Sequence, residues 1–199
     1  GRLIDMSPLE ITAVVLALLY VLLAVKEHRI CWVVAAASAS LYTWIFWEAA
    51  LIMEAALQLF YIVIAVYGWL SWGEDNSANE RPIRSWSWRQ HLIAIPTVLV
   101  ISSVTGSLLN HFTDAALPWL DSFTTIAALL TTWMVTQKIL ENWLYWIGID
   151  AISIYLYLSR DLQLTAGLFV IYIGLAYMGW RVWRTHYRNT QRDPTGAPV

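Results

Sequence analysis

The sequence predicts an all-α membrane protein with seven transmembrane helices, arranged as two parallel three-helix repeats joined by one linking helix (3+1+3). Three observations carry this expectation. The chain of 199 residues is 59% hydrophobic and 13% charged, where a soluble domain carries roughly 25% charge. Its mean hydropathy is +0.56, and its apolar runs approach the roughly 20 residues that cross a hydrocarbon core of about 30 Å. Finally, one stretch occurs twice. Adding 111 to residues 32–72 lays Trp32 on Trp143, Leu51 on Leu162, Ala55 on Ala166, Tyr61 on Tyr172 and Ala65 on Ala176 without a gap, and closes with Gly68-Trp69-x-x-Trp72 on Gly179-Trp180-x-x-Trp183. Tyrosines, glycines and tryptophans do not interchange as apolar filler, so the match reads as an internal duplication. In an apolar chain, such a repeat points to a transporter with its site between the repeats.

In chain order, the expected spans are Pro8–Val25, Ile30–Trp47, Ala49–Trp72, His91–Phe112, Leu120–Gln137, Asn142–Leu158 and Leu164–Trp183. The second–third and sixth–seventh connections are very short and predict tight antiparallel hairpins. A three-helix unit has odd parity, so its copy would face the opposite way. The fourth span restores direction and makes the repeats parallel, about an axis along the membrane normal. That span matches neither half, and its Pro96, Gly106, Ser102, Ser103 and Ser107 read as a kinked or closely packed linker helix. The expected organisation is therefore 8–72 as the first repeat, 73–119 as loop plus linker helix, 120–183 as the second repeat and 184–199 as a tail. Residues 73–90, polar and carrying Asn76-Ser77-Ala78-Asn79 and Pro82, read as a flexible linker. The tail from about Thr185 ends in Pro194, Gly196 and Pro198 and reads as disordered.

Basic residues orient the chain. With seven spans, one face holds only Arg2 and Arg160. The other holds Lys26, Arg29, Arg81, Arg84, Arg89, Lys138, Arg181, Arg184, Arg188 and Arg192. The positive-inside rule then places the N-terminus outside and the C-terminus in the cytoplasm. Trp47, Trp72, Trp119 and Trp183 at span ends suit an interfacial belt.

Several chemistries lack their residues. The one cysteine, Cys31, excludes an intrachain disulfide or a cysteine metal site, and the four histidines do not cluster in sequence. There is no phosphate-cradling glycine loop, no nucleophile–base arrangement in the spans and no regular arginine series, so neither a cofactor, a metal nor nucleic acid is expected. No cleavable signal peptide is expected either, because Asp5 precedes the first apolar run without a positive n-region.

Polar side chains within spans are costly and mark function by default. Glu54, Gln58 and Tyr61 share one face of the third span. Trp146, Asp150, Ser153 and Tyr157 share one face of the sixth. Asp121, Thr124, Thr125, Ala128, Thr131 and Thr132 form a small, polar stripe on the fifth, and Ser40, Thr43 and Trp44 sit on the second. Asp150 is near mid-span, where an ionised carboxylate needs a partner or water. Its repeat mate is Ala39, so the copies differ there. Two readings stand side by side: contact with a cationic or hydroxyl-bearing ligand, or a hydrogen bond between helices. Gln58, whose mate is Phe169, offers donors and an acceptor to a neutral polar group or to a neighbouring helix. Asp121 and Glu54 lie near span ends, where carboxylates are cheap. Trp44, Tyr61, Trp133, Trp143, Tyr155 and Tyr157 suit either core packing or a sandwich around a flat cation, worth about 0.5–2 kcal/mol per face.

The residues Gln58-x-x-Tyr61, Tyr67-Gly68-Trp69-x-x-Trp72, Leu120-Asp121-Ser122-Phe123-Thr124-Thr125, Lys138-x-x-Glu141-Asn142-Trp143 and Ile149-Asp150-x-x-Ser153 resemble the PnuC family of vitamin transporters over about residues 8–185. That family is related to the SWEET sugar transporters, in agreement with a SWEET-like 3+1+3 fold. The resemblance implies uptake of nicotinamide riboside across a bacterial inner membrane by facilitated diffusion with alternating access, trapped by phosphorylation in the cytoplasm. Some members carry thiamine instead, and both are small cationic heteroaromatic vitamins. It further implies Gln58, Asp121, Thr125, Asn142, Trp143 and Asp150 as substrate-binding residues, with Trp44, Tyr61 and Tyr155 as aromatic walls. The family association also suggests a homo-oligomer such as a trimer in the lipid bilayer. A membrane enzyme or receptor subunit is the reading from another class, and the missing nucleophile, metal cluster and soluble domain weigh against it.

Overall fold

The computed structural model describes residues 8–48, 52–75, 78–114, 117–159 and 163–192. These hold seven α-helices: α1 (Pro8–Val25), α2 (Cys31–Glu48), α3 (Ile52–Trp72), α4 (Trp88–Phe112), α5 (Pro118–Thr136), α6 (Asn142–Leu158) and α7 (Gln163–Arg192). The expected bounds of the first and sixth spans coincide with α1 and α6. Three stretches among the described residues, Ala55–Trp72, Trp88–Phe112 and Ala166–Arg192, are long and apolar enough to cross a membrane. The helices α1, α2, α5 and α6 run 18, 18, 19 and 17 residues, at the lower end for a spanning helix.

Local chemistry explains the ends. The backbone N–H of Ser87 donates to Gln90 Oε1 at 2.8 Å, a reciprocal cap that starts α4 ahead of the expected His91. Pro118 opens α5, where its missing N–H costs nothing. Two expectations are corrected. The helix α7 continues nine residues past Trp183 to Arg192, because no glycine or proline interrupts residues 184–192. Residues 193–199 lie outside the described residues. The polar connector after α3 is also not a loose linker over its described length. Asp75 accepts from the backbone N–H of Arg29 at 3.0 Å and pairs with His28 at 2.8 Å. Arg81 caps the end of α3 through Ser71 and Trp72 carbonyls at 2.7 Å each. Its Asn76 and Ser77 lie outside the described residues.

The chain divides into two compact units, Gly1–Pro82 and Ile83–Val199. In the first, α2 packs against both α1 and α3. The buried small residues Ala13, Ala24, Ala39, Ala55 and Ala65 allow close approach, and Ser38 donates to the Ala13 carbonyl at 3.0 Å. Trp32 seats its indole against Gly68 and meets Trp72 edge-on, with centroids 5.4 Å apart at 86°.

In the second unit α4 packs on α5, α5 on α6, and α6 on α7. Gly106 of α4 lies against Trp119 of α5 so closely that an added Cβ would stand 2.7 Å from the indole. Val98, Ala127 and Ile149 form a shared core of α4, α5 and α6. Trp143 sits against Gly179 and meets Trp183 edge-on at 5.4 Å and 89°, which repeats the arrangement of Trp32, Gly68 and Trp72.

The duplicated backbone reaches further upstream than the duplicated side chains. Glu27 and Lys138, 111 residues apart, have φ of +56° and +48°. Around them Glu27 N–H bonds Ala24 O and His28 N–H bonds Leu23 O, both at 3.0 Å. At the mated positions Lys138 N–H bonds Val135 O and Ile139 N–H bonds Met134 O, both at 3.0 Å. The α1–α2 and α5–α6 turns therefore share one hydrogen-bond pattern.

The turn of the second unit carries an additional clasp. Arg84 N–H donates to Lys138 O at 2.9 Å, and Leu140 N–H to Arg84 O at 2.8 Å, forming an isolated bridge of Arg84 with Ile139. Glu141 accepts from the Ser85 hydroxyl and, at 3.1 Å, from the Trp86 N–H. Arg84 also reaches Gln137 Oε1 at 3.1 Å.

Candidate functional site

Helices α5 and α6 carry most of the buried polar groups of the second unit. On α6, Asp150 and Ser153 are 4% and 5% exposed. On α5, Ser122, Thr124, Thr131 and Thr132 are buried beside Ala127 and Ala128. Small side chains let two helices approach, and their hydroxyls can be satisfied within the helix. Thr131 and Thr132 donate to the carbonyls of Ala127 and Ala128 at 2.7 Å, and Thr124 donates to those of Leu120 and Asp121 at 3.1 and 3.0 Å.

Four groups on these helices do not spend their capacity that way. Among the described residues, no hydrogen bond or ion pair reaches the carboxylate of Asp150 or the hydroxyls of Ser122, Ser153 and half-buried Thr125. Because α5 and α6 run antiparallel from the turn at Ile139, Asp150 stands about level with Ala128 and Ser153 about level with Thr125, at equal helical rise from the turn. A barely exposed carboxylate with an unpaired hydroxyl one turn along its own helix is an acceptor-rich surface. It can neutralise a cation and bond hydroxyl groups. A carboxylate this little exposed and without a partner is poorly solvated, a cost that a cationic ligand would offset.

The other candidates of this unit sit elsewhere. Asn142 and Trp143, 0% and 3% exposed, lie at the turn end of α6, about 12 Å of helical rise from Asp150. Asn142 donates through Nδ2 to Ile139 O at 2.8 Å, while its Oδ1 is buried without a partner. The Trp143 ring is packed against Gly179 and Trp183, and its Nε1 is buried and unpartnered. Trp32 has the same packing and the same unpartnered Nε1. Asp121 is exposed in the first turn of α5. Tyr155 is 63% exposed, about 140° around α6 from Asp150.

In the first unit, Trp44 of α2 is 59% exposed. Gln58 and Tyr61 are half-buried, one turn apart on α3. The Gln58 amide makes no hydrogen bond among the described residues. Glu54 and Tyr157 belong to side chains outside the described residues.

Sequence reasoning named Ser153 on the Asp150 face but did not carry it into the substrate set. The spacing of three residues was the available signal. It also read Glu141 as a family signature only, whereas its carboxylate clasps Ser85 and Trp86. The role of Gly68 and Gly179 as seats for Trp32 and Trp143 was signalled by the repeat itself, which preserves both members of each pair.

Residues 7–185 match the family described as nicotinamide mononucleotide transporter. The chain is similar to the nicotinamide riboside transporter PnuC of Escherichia coli, with 24% identity over 205 residues, covering 90% of this chain and 86% of that one. It is also similar to the riboflavin/roseoflavin transporter RibM of Streptomyces davaonensis, with 23% identity over 151 residues, covering 73% and 71%. Among solved structures, the crystal structure of the vitamin B3 transporter PnuC superposes with a TM-score of 0.71 at 23% identity, covering 89% of this chain and 81% of that one.

Proposed function

The chain belongs to the PnuC family of vitamin transporters, and from that premise we propose that it carries nicotinamide riboside across a bacterial inner membrane. In this reading it works by facilitated diffusion with alternating access between two parallel three-helix repeats in a SWEET-like 3+1+3 arrangement. Phosphorylation in the cytoplasm traps the vitamin. The N-terminus is outside and the C-terminus cytoplasmic, as the basic residues indicate.

One observation carries the substrate class: Asp150 is 4% exposed and has no partner among the described residues. A pyridinium supplies the missing positive charge, and Ser153 and Thr125 offer hydroxyls to a ribose. Gln58 and Asn142 bond further polar groups, with the unpartnered Oδ1 of Asn142 as an acceptor. Trp44, Tyr61 and Tyr155 furnish aromatic faces and Asp121 attracts the cation at the outer mouth, whereas Trp143, expected as a contact, has its ring taken up by Gly179 and Trp183. Thiamine, also a cation, is the alternative in the same site. A flavin such as RibM's name describes is uncharged in its ring system and would leave the carboxylate unpaired, so Asp150 favours the cations.

A homo-oligomer, such as a trimer, is part of the proposal. The exposed side of α4 has a shallow depression lined by Ser103, Val104, Ser107, Leu108 and His111, where the two serine hydroxyls bond carbonyls of their own helix and the His111 ring is the polar group that lipid would disfavour. A second copy would cover this side of the helix.

Calorimetric titration of the purified protein with nicotinamide riboside, thiamine and riboflavin tests the substrate. Tight riboside binding supports the proposal. Preference for thiamine keeps the site and changes the vitamin, whereas preference for riboflavin removes the role given to Asp150.

A further inference from the structure

The helix α7 contains four charged residues, all arginines: Arg181, Arg184, Arg188 and Arg192. Their spacing of three, four and four places them within about 80° of helix circumference. All four are exposed. The opposite side, with Gly179 and Trp183, faces the protein, packed against Trp143.

Toward the N-terminus the arginine stripe continues into an apolar one. Val170 and Tyr177 lie on the same line and are 57% and 54% exposed. That face therefore passes from uncovered apolar side chains to uncovered guanidiniums along one unbroken helix. Tyr177 and Trp180 mark the change: Arg181 lies 5.9 Å from the Tyr177 ring and donates to its hydroxyl at 3.2 Å, and Arg184 lies 5.7 Å from the Trp180 ring. Interfacial aromatics with arginines beside them match the level where acyl chains give way to headgroups.

We infer that the C-terminal part of α7 is a binding surface for anionic lipid headgroups. The occupant follows from continuity as well as charge. A soluble acidic partner would meet the arginines alone, whereas a phospholipid meets both halves of the stripe, with its chains on Val170 and Tyr177 and its phosphate among the arginines. From Arg181 to Arg192 the stripe rises about 16 Å, and the long side chains of the outer arginines reach back toward the headgroup layer. Each basic residue near an anionic surface adds to the attraction, which falls off within a Debye length of about 8 Å. The inference needs α7 to leave a bilayer near Trp183 and does not depend on which vitamin is carried.

The test reconstitutes the full chain in nanodiscs of neutral phosphatidylcholine alone, and of phosphatidylcholine with phosphatidylglycerol, and follows hydrogen exchange of residues 184–192. Exchange is expected to slow about tenfold in the anionic discs and to recover in high salt. The variant R184Q/R188Q/R192Q is expected to lose this protection, with unchanged exchange in α6 reporting an intact fold. Equal exchange in both discs overturns the inference and leaves the stripe to a soluble partner. Equal slowing in neutral discs supplied with inorganic phosphate overturns it in favour of a free anion. Vitamin binding, measured on the same discs, reports separately on the transport proposal.

Discussion

Trp32 fills the space above Gly68 so completely that a Cβ on the glycine would stand 2.4 Å from the indole. At the mated positions, Gly179 and Trp143, the distance would be 2.6 Å. The obstructing atoms are ring carbons pinned by Trp72 and Trp183, so neither ring can swing aside freely.

Gly68→Ala and Gly179→Ala are therefore expected to destabilise the protein by about 1–3 kcal/mol each through overpacking. Thermal unfolding in detergent checks this. Gly174→Ala, where an added Cβ meets nothing within 4 Å, is the control and should leave Tm nearly unchanged. Equal stability of all three variants would contradict the packing argument.

Asp150→Asn keeps the size of the side chain and removes its charge. If the carboxylate pairs with a cationic vitamin, affinity falls about 10–100-fold, the worth of a hydrogen-bonded charge, while unfolding is unaffected or shifts upward because a buried unpaired charge is gone. Calorimetry with the purified variant measures the first and a melting curve the second. Undiminished binding would take Asp150 out of the site.

Glu141→Ala removes the acceptor of both Ser85 and Trp86. The expected cost is about 1 kcal/mol, since Ser85 is exposed to water. The sharper readout is limited trypsin digestion. Cleavage after Arg84 should accelerate several-fold, while sites on α7 are cut at the same rate.

Glu27 sits at φ +56°, where a β-branched side chain is strained. Glu27→Val is expected to cost about 1–2 kcal/mol, and Glu27→Gly to be tolerated within about 1 kcal/mol. Comparing the two by thermal unfolding separates backbone conformation from loss of the side chain, because both variants lack the carboxylate.

The helices were legible in the sequence wherever apolar runs ended in unambiguous polar residues. The bounds Pro8–Val25 and Asn142–Leu158 follow from that contrast alone. The matching packing of Trp32 on Gly68 and Trp143 on Gly179 was legible because tryptophan and glycine must co-occur to interlock. Upstream the likeness was hidden: Glu27 and Lys138 share a backbone conformation but no side-chain chemistry. The connector was misread because polarity was taken for looseness. Its anchors bond residues 46 to 56 positions away, separations that no local pattern encodes. For the candidate site, the position of Asp150 at mid-span was legible. What sequence did not reveal is that Thr124, Thr131 and Thr132 turn their hydroxyls back onto α5, while those of Ser122 and Thr125 make no hydrogen bond among the described residues.

The seating of each indole against its glycine also constrains mechanics. A ring lodged in a notch one residue wide acts as a key in a slot. Sliding α2 along α3 by a single helical step of about 1.5 Å would drive Trp32 from the glycine into a neighbouring side chain, and the same holds for Trp143 between α6 and α7. Sliding within either helix pair is therefore opposed by its own indole.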